Sequence, residues 1–209
     1  GALLTLEKVL DPLQLDAVLL SHYHHDHTAD VGVLQYFWQL KTGSKKVPIL
    51  PIYGHTQDPL NFGALTWPGA TIGKSYSADQ ALNIGPFKIT FLQTHHPVAA
   101  FAVRIEEVAT HKVLVFTSDT AYFPELADFA EKADLLMTDT NFYADKEGKK
   151  WHMTSTESGE VAKNANVKNL LLTHLPQSGN LDNLVTEAKR KVGTDVQVMR
   201  ASKLFEYTV

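Results

Sequence analysis

Along the 209 residues, apolar runs of strand length alternate with stretches of helical spacing. Leu3, Leu4, Leu6, Val9 and Leu10 share a helical face, and Pro12 is expected to end that helix. "LDAVLLSH" then reads as a buried strand. "DVGVLQYFWQLKTG" is an amphipathic helix with Asp30 as N-cap and Gly43 past its end. "VPILPIYGH" is a strand broken by prolines. Residues 56–83 read as loop-rich, with one helix near 58–65. "FKITFLQTHH" alternates as a strand, and "AAFAVRIEEVATHKVLVFTSD" as two strands turning near Thr110. "PELADFAEKA" is helical, "DLLMTD" a strand, "STESGEVAKNA" a helix, "KNLLLTH" a strand, and "LDNLVTEAKRKVG" a helix stopped by Gly193. "DVQVMRA" and "KLFEYTV" are expected to close the chain as strands. The alternation predicts a single α/β domain over residues 1–209.

Several of these apolar runs end in a side chain able to bind metal: "LLSH", "LQTHH", "VFTSD", "LMTD" and "LLLTH". Open sheets bind ligands beyond the carboxyl ends of their strands, so these ends are expected to converge on one site. The densest is "SHYHHDHTAD", residues 21–30, with four histidines and two aspartates. A core does not tolerate such groups unpaired. His22 and His24 are two apart, point the same way in extended chain, and could grip one cation. Asp26 and His27 follow at once and could face a second. His96, Asp119 and His174, at the later run ends, are the remaining candidates.

Composition narrows the chemistry. With 44% hydrophobic and 20% charged residues the chain is globular rather than disordered. A net charge of −4 gives it no general attraction to nucleic acid. There is no cysteine, so a metal site has only histidine and carboxylate to draw on. No run is long and apolar enough to span a bilayer, and "GALLTLEKVL" lacks the basic leader and cleavage pattern of a signal peptide. The cytoplasm is the default compartment.

"HYHHDH", His22 to His27, matches the H-x-H-x-D-H motif of the metallo-β-lactamase superfamily. "THHPVAAFAVRIE", "FTSDT" and "LLLTHL" follow in that family's order. The chain most resembles the RNase Z-like group, the tRNA 3′-processing endonucleases and their phosphodiesterase relatives. The resemblance implies an αββα sandwich. That fold opens with paired strands and a Gly-rich turn, and this chain is expected to lack those N-terminal strands. It also implies two divalent metal ions, zinc ahead of manganese or iron. His22, His24 and His96 would hold one, Asp26, His27 and His174 the other, and Asp119 would bridge them. His96 is preferred to His95 because "HPVAAFAVR" fits the family pattern with His96 first. "HMTSTESGEVAKNANVKNLLLTHL" resembles the group's element before the last ligand, with His152 as the substrate-side acid. Asp139, in "LMTDTNF", stands where the group has a Glu backing that histidine.

The implied activity is hydrolysis of phosphodiester bonds by a hydroxide bridging the metals, with Asp26 orienting it and His152 serving the leaving group. The alternatives are carboxylic ester, lactone or thioester hydrolysis on the same metal core, or a non-catalytic metal-binding paralogue. A di-iron redox role ranks low, because it goes with a Glu where His24 stands. The substrate is expected to be a small molecule or of nucleotide type, with no membrane involved and a homodimer left open. The tRNA-processing enzymes carry a long Gly/Pro-rich arm where only a hairpin separates Arg104 from Asp119, so tRNA is not the expected substrate.

The remaining candidates have ordinary readings. His55, His95 and His111 read as surface or core residues, with His55 close enough to a strand end to line a pocket. His25 occupies the variable place of the motif. Among Tyr36, Phe37 and Trp38, at least one packs in the core. "KTGSKK" and "KEGKK" read as solvated turns, and Asp128 and Asp134 as surface charge.

Overall fold

The computed structural model describes residues Gly1–Val209, which divide into two compact units, Gly1–Ser77 and Ala78–Val209.

In the first unit the chain runs α1 (Ala2–Leu6), β1 (Val18–Leu19), α2 (His25–Thr28), α3 (Val31–Leu40), β2 (Leu50–His55), α4 (Pro59–Ala64) and β3 (Thr71–Tyr76). The three strands form a parallel sheet in the order β1-β2-β3. Trp38, Leu34, Leu50, Leu13, Leu3 and Ala70 make one apolar cluster, and Leu20, Tyr23, Ile52 and Leu65 a second. Each leucine or isoleucine among them, once buried, contributes roughly 1.5–3 kcal/mol. Trp38 is fully buried and Tyr36 is exposed, which divides the aromatic triplet between core and surface.

Four expectations change here. α1 stops at Leu6, well before Pro12, which instead opens a short 3₁₀ turn capped by the Asp11 carboxylate on the Leu13 amide. Asp30 precedes α3 but does not cap it with its side chain; the carboxylate accepts the Leu3 amide at 2.8 Å instead. The strand at residues 71–76 was hidden in a stretch read as loop. β3 is a sheet edge, and its Gly73, Lys74 and Ser75 give no apolar run. Pro51 sits inside β2, yet breaks nothing, because β1 pairs only with Ile52 and Tyr53.

The second unit holds a seven-stranded mixed sheet in the order β10-β9-β8-β7-β6-β5-β4. Its strands are β4 (Leu82–Ile84), β5 (Phe87–Gln93), β6 (Phe101–Glu107), β7 (Val113–Phe116), β8 (Leu135–Asp139), β9 (Asn169–Thr173) and β10 (Gln197–Arg200). β4 to β7 are antiparallel, and β7 to β10 parallel. The helices are α5 (Glu125–Phe129), α6 (Ser155–Asn164) and α7 (Leu181–Val192). Val115, Leu136, Leu170 and Leu172 on the strands pack with Val161, Leu184 and Ala188 on the helices. Gly193, at φ 81°, ends α7 as expected.

Two further corrections belong to this unit. "KLFEYTV" forms no strand: the last backbone bond to the sheet joins the Ala201 amide to the Leu172 carbonyl, the Phe205 amide bonds only locally to the Ser202 carbonyl, and Leu204, Phe205 and Tyr207 are exposed. Its alternation had no second apolar surface to pack on. Asp134 is not a surface charge but is 6% exposed, held by the Val113 amide, Lys112 and Lys168. No helix of the chain is long and apolar enough to cross a membrane.

Candidate metal centre

In the first unit the loop after β1 carries the dense histidine run. His22 is fully buried, and its Nδ1 lies 3.1 Å from the Ser21 hydroxyl. Its ring centroid is 4.9 Å from that of His24 and 4.1 Å from that of His27. Extended chain brings His22 and His24 together; the single turn of α2 brings back His27. Asp26 is exposed and lies 3.4 Å from His27 Nε2. Tyr23, Tyr76 and His55 are buried beneath this loop. Burial pushes the Tyr23 and Tyr76 phenols well above their usual range, with the charge of Asp58 adding at Tyr23 and that of Tyr23 at Tyr76. Both stay hydrogen-bond donors.

In the second unit the strand ends do converge. Asp119 follows β7 and is 2% exposed. Its Oδ2 lies 3.5 Å from His174 Nε2, 3.9 Å from His152 Nδ1 and 4.0 Å from His96 Nε2. His96 Nδ1 meets the Trp151 carbonyl at 3.3 Å. A carbonyl only accepts, so Nδ1 carries the proton and the neutral ring keeps its lone pair on Nε2, the atom nearer Asp119. His95 instead stacks on Phe123, with ring centroids 4.2 Å apart.

Asp139 ends β8 with no exposure at all. Its Oδ2 accepts the Thr120 amide at 2.9 Å and meets His152 Nδ1 at 2.7 Å. Its Oδ1 lies 3.3 Å from His174 Nδ1. The residue expected to back His152 therefore faces His174 as well, and the two imidazoles stack with centroids 5.0 Å apart. Donation from His174 Nδ1 to Asp139 leaves Nε2 as the lone pair, again toward Asp119. Metal-binding histidines have this arrangement, with the second nitrogen anchored on a carboxylate or carbonyl.

Local structure holds His152 in place. Thr154 and Glu157 form a capping box at the start of α6. Glu157 also takes Lys150 at 2.7 Å, so one carboxylate pins the chain on both sides of His152. Asn141 donates to the His174 carbonyl at 2.9 Å. Ser118 and His174 have φ of 56° and 48°, left-handed backbone outside glycine. Such strain collects where a structure needs one side chain aimed at one place.

The ligand atoms of Asp119, Asp139, His152 and His174 all lie within 4.8 Å of one another, a donor set of nitrogen and oxygen that suits a divalent cation. The sequence did not reveal the Trp151 carbonyl, the Thr120 amide, Asn141, or the Tyr23 and Tyr76 hydroxyls. Backbone groups leave no trace in sequence, and the two phenols sit in runs that read as strand or loop.

A family model described as the beta-lactamase superfamily domain matches residues 3–175. The chain belongs to the beta-lactamase superfamily. Within it, the chain is 46% identical over 195 residues to the probable metallo-hydrolase YhfI of Bacillus subtilis, spanning 92% of this chain and 79% of that protein. The crystal structure of YhfI, a metallo-β-lactamase fold protein, superposes with a TM-score of 0.90 at 45% identity, over 98% of this chain and 83% of that one. The short form of human tRNase Z shares the fold, with a TM-score of 0.69 at 16% identity over 98% of this chain and 83% of that one. The fold is thus the metallo-β-lactamase fold, with a His/Asp cluster suited to metal ions.

Proposed function

We propose that the protein is a dinuclear metal-dependent hydrolase acting on phosphodiester bonds. Its proposed ligands are His22, His24 and His96 for one ion, Asp26, His27 and His174 for the other, and Asp119 for both. Zinc is the first choice, since imidazole nitrogens make up most of the proposed donor set. Ions so held supply Lewis acidity and make water more acidic. The remaining chemistry belongs to the chain. Asp139 fixes the His152 ring through Nδ1, leaving Nε2 to hand a proton to the departing alcohol oxygen. Asp26, the most exposed acid of the set, would orient the attacking water.

The observation that carries the reading is the His152–Asp139 pair, 3.9 Å from Asp119 and walled by the α6 capping box. A histidine anchored this way, beyond the proposed ligand set, fits leaving-group protonation. β6 and β7 are joined across residues 108–112 alone, so small phosphodiesters are favoured over tRNA.

The test is a panel on protein stripped of metal and reloaded with Zn²⁺ or Mn²⁺. A chromogenic phosphodiester is expected to turn over only after reloading. Turnover confined to carboxylic esters, lactones or thioesters would move the assignment to that class. Absence of both turnover and metal uptake would overturn it.

A further inference from the structure

β1 gives the ladder only Val18 and Leu19, too little to set the direction of the chain that follows. The last sheet bond is the Leu20 amide to the Tyr53 carbonyl, at 2.9 Å. Past it, the Leu20 and Ser21 carbonyls leave the sheet immediately before His22. Both face one hydroxyl: Tyr76 Oη lies 2.8 Å from the Leu20 oxygen and 3.2 Å from that of Ser21. Tyr76 is the last residue of β3, which does not pair with β1, so its side chain reaches past β2 to make this contact. A second phenol runs the opposite way, from the loop back to the sheet. Tyr23 Oη donates to the His55 carbonyl, the last residue of β2, at 2.7 Å. Gly54 makes room for it, since a Cβ there would overlap the Tyr23 hydroxyl.

We propose that Tyr76 is a positioning residue for the metal-binding loop, its hydroxyl holding the Leu20–Ser21 backbone where His22 and His24 present their imidazoles together. Tyr23 on His55 is the counterpart that closes the clamp. The inference rests on the reading of His22 and His24 as ligands. The two phenols do for the backbone of this loop what Asp139 and the Trp151 carbonyl do for the rings of His174 and His96. Loss of such an outer partner costs roughly 10–100-fold in metal affinity. A side chain that merely packs would cost stability without touching affinity, because Tyr76→Phe keeps the ring.

The experiment measures zinc affinity by chelator competition, together with thermal unfolding of the metal-free protein, for the wild type, Tyr76→Phe and Tyr53→Phe. Tyr53→Phe removes a β2 hydroxyl that is no part of the clamp. Tyr76→Phe is expected to bind zinc roughly 10–100-fold more weakly, and Tyr53→Phe as the wild type does. Zinc binding by Tyr76→Phe at wild-type strength overturns the proposal, whatever its melting temperature. If that variant does not fold, Tyr23→Phe carries the same test from the other side of the clamp, with the same overturning result. A wild type that binds no divalent ion would instead sink the metal reading itself, and this inference with it.

Discussion

Asp139 is one carboxylate with two imidazoles on it, His152 on Oδ2 and His174 on Oδ1. Removing either histidine should therefore have a different signature from removing the acid between them. His152→Ala is expected to keep its metal stoichiometry while kcat falls roughly 10²–10⁴-fold. Asp119→Ala should lose metal, because three imidazole nitrogens face its carboxylate within 4.0 Å. Asp139→Asn should do some of both, weakening metal binding roughly 10–100-fold and slowing turnover. Metal analysis and phosphodiester kinetics on the three variants in parallel decide it. If His152→Ala sheds metal as Asp119→Ala does, His152 is a ligand and the division of roles fails. At this scale the sequence was informative where chemistry ends an apolar run, as at His22, Asp119 and His174. It was silent on what anchors those rings, because His96 leans on a backbone carbonyl 55 residues away.

Elements position the site through tight contacts that only certain residues permit. α6 begins two residues after Met153 and lies against α7, with Gly159 at the crossing. A Cβ on Gly159 would come within 2.7 Å of the Ala188 carbonyl and 2.9 Å of Lys191 Cβ. Since the nearest obstacle is backbone, the helices must separate, at a cost of about 1–3 kcal/mol. Gly159→Ala should lower the denaturation midpoint accordingly, while Gly63→Ala, on α4 with open space around it, should not. Equal midpoints for both variants would mean that the α6–α7 contact yields more easily than the geometry says. The strands and helices of the second unit were legible because their apolar periods are strong. β3 was not, since an edge strand needs no continuous apolar run, and "KLFEYTV" misled because alternation alone does not supply a partner strand.

At the scale of the whole molecule, Asp134 is a buried charge that bears on stability. Burial pushes its carboxyl up, but hydrogen bonds from Lys168, the Val113 amide and Lys112 outweigh that and hold it at about 2. An unfolded Asp titrates near 3.9, so the folded form is the one that resists protonation. The stabilisation is then fully present above about pH 4 and is lost as pH falls from about 4 to about 2. Its size is about 2 kcal/mol. Because Asp134 joins the starts of β7, β8 and β9, its loss should be felt in global unfolding. Urea titrations from neutral pH into this acid window should show wild-type stability falling more steeply than that of Asp134→Asn. Parallel curves would show that the carboxylate contributes nothing to that limb. From sequence this residue passed as a surface charge, since nothing in "EKADLL" announces two lysines and an amide gathered from distant strands.

Ser118 and His174 carry their side chains on backbone that glycine would adopt without strain. A search for thermostable variants, scored on melting temperature alone, would be drawn to both positions, because glycine there releases the strain. It would be rewarded for erasing a histidine from the proposed metal centre and for slackening the approach to Asp119. Selection for durability and selection for turnover therefore pull these codons in opposite directions, and a stabilisation campaign on this enzyme has to hold them fixed.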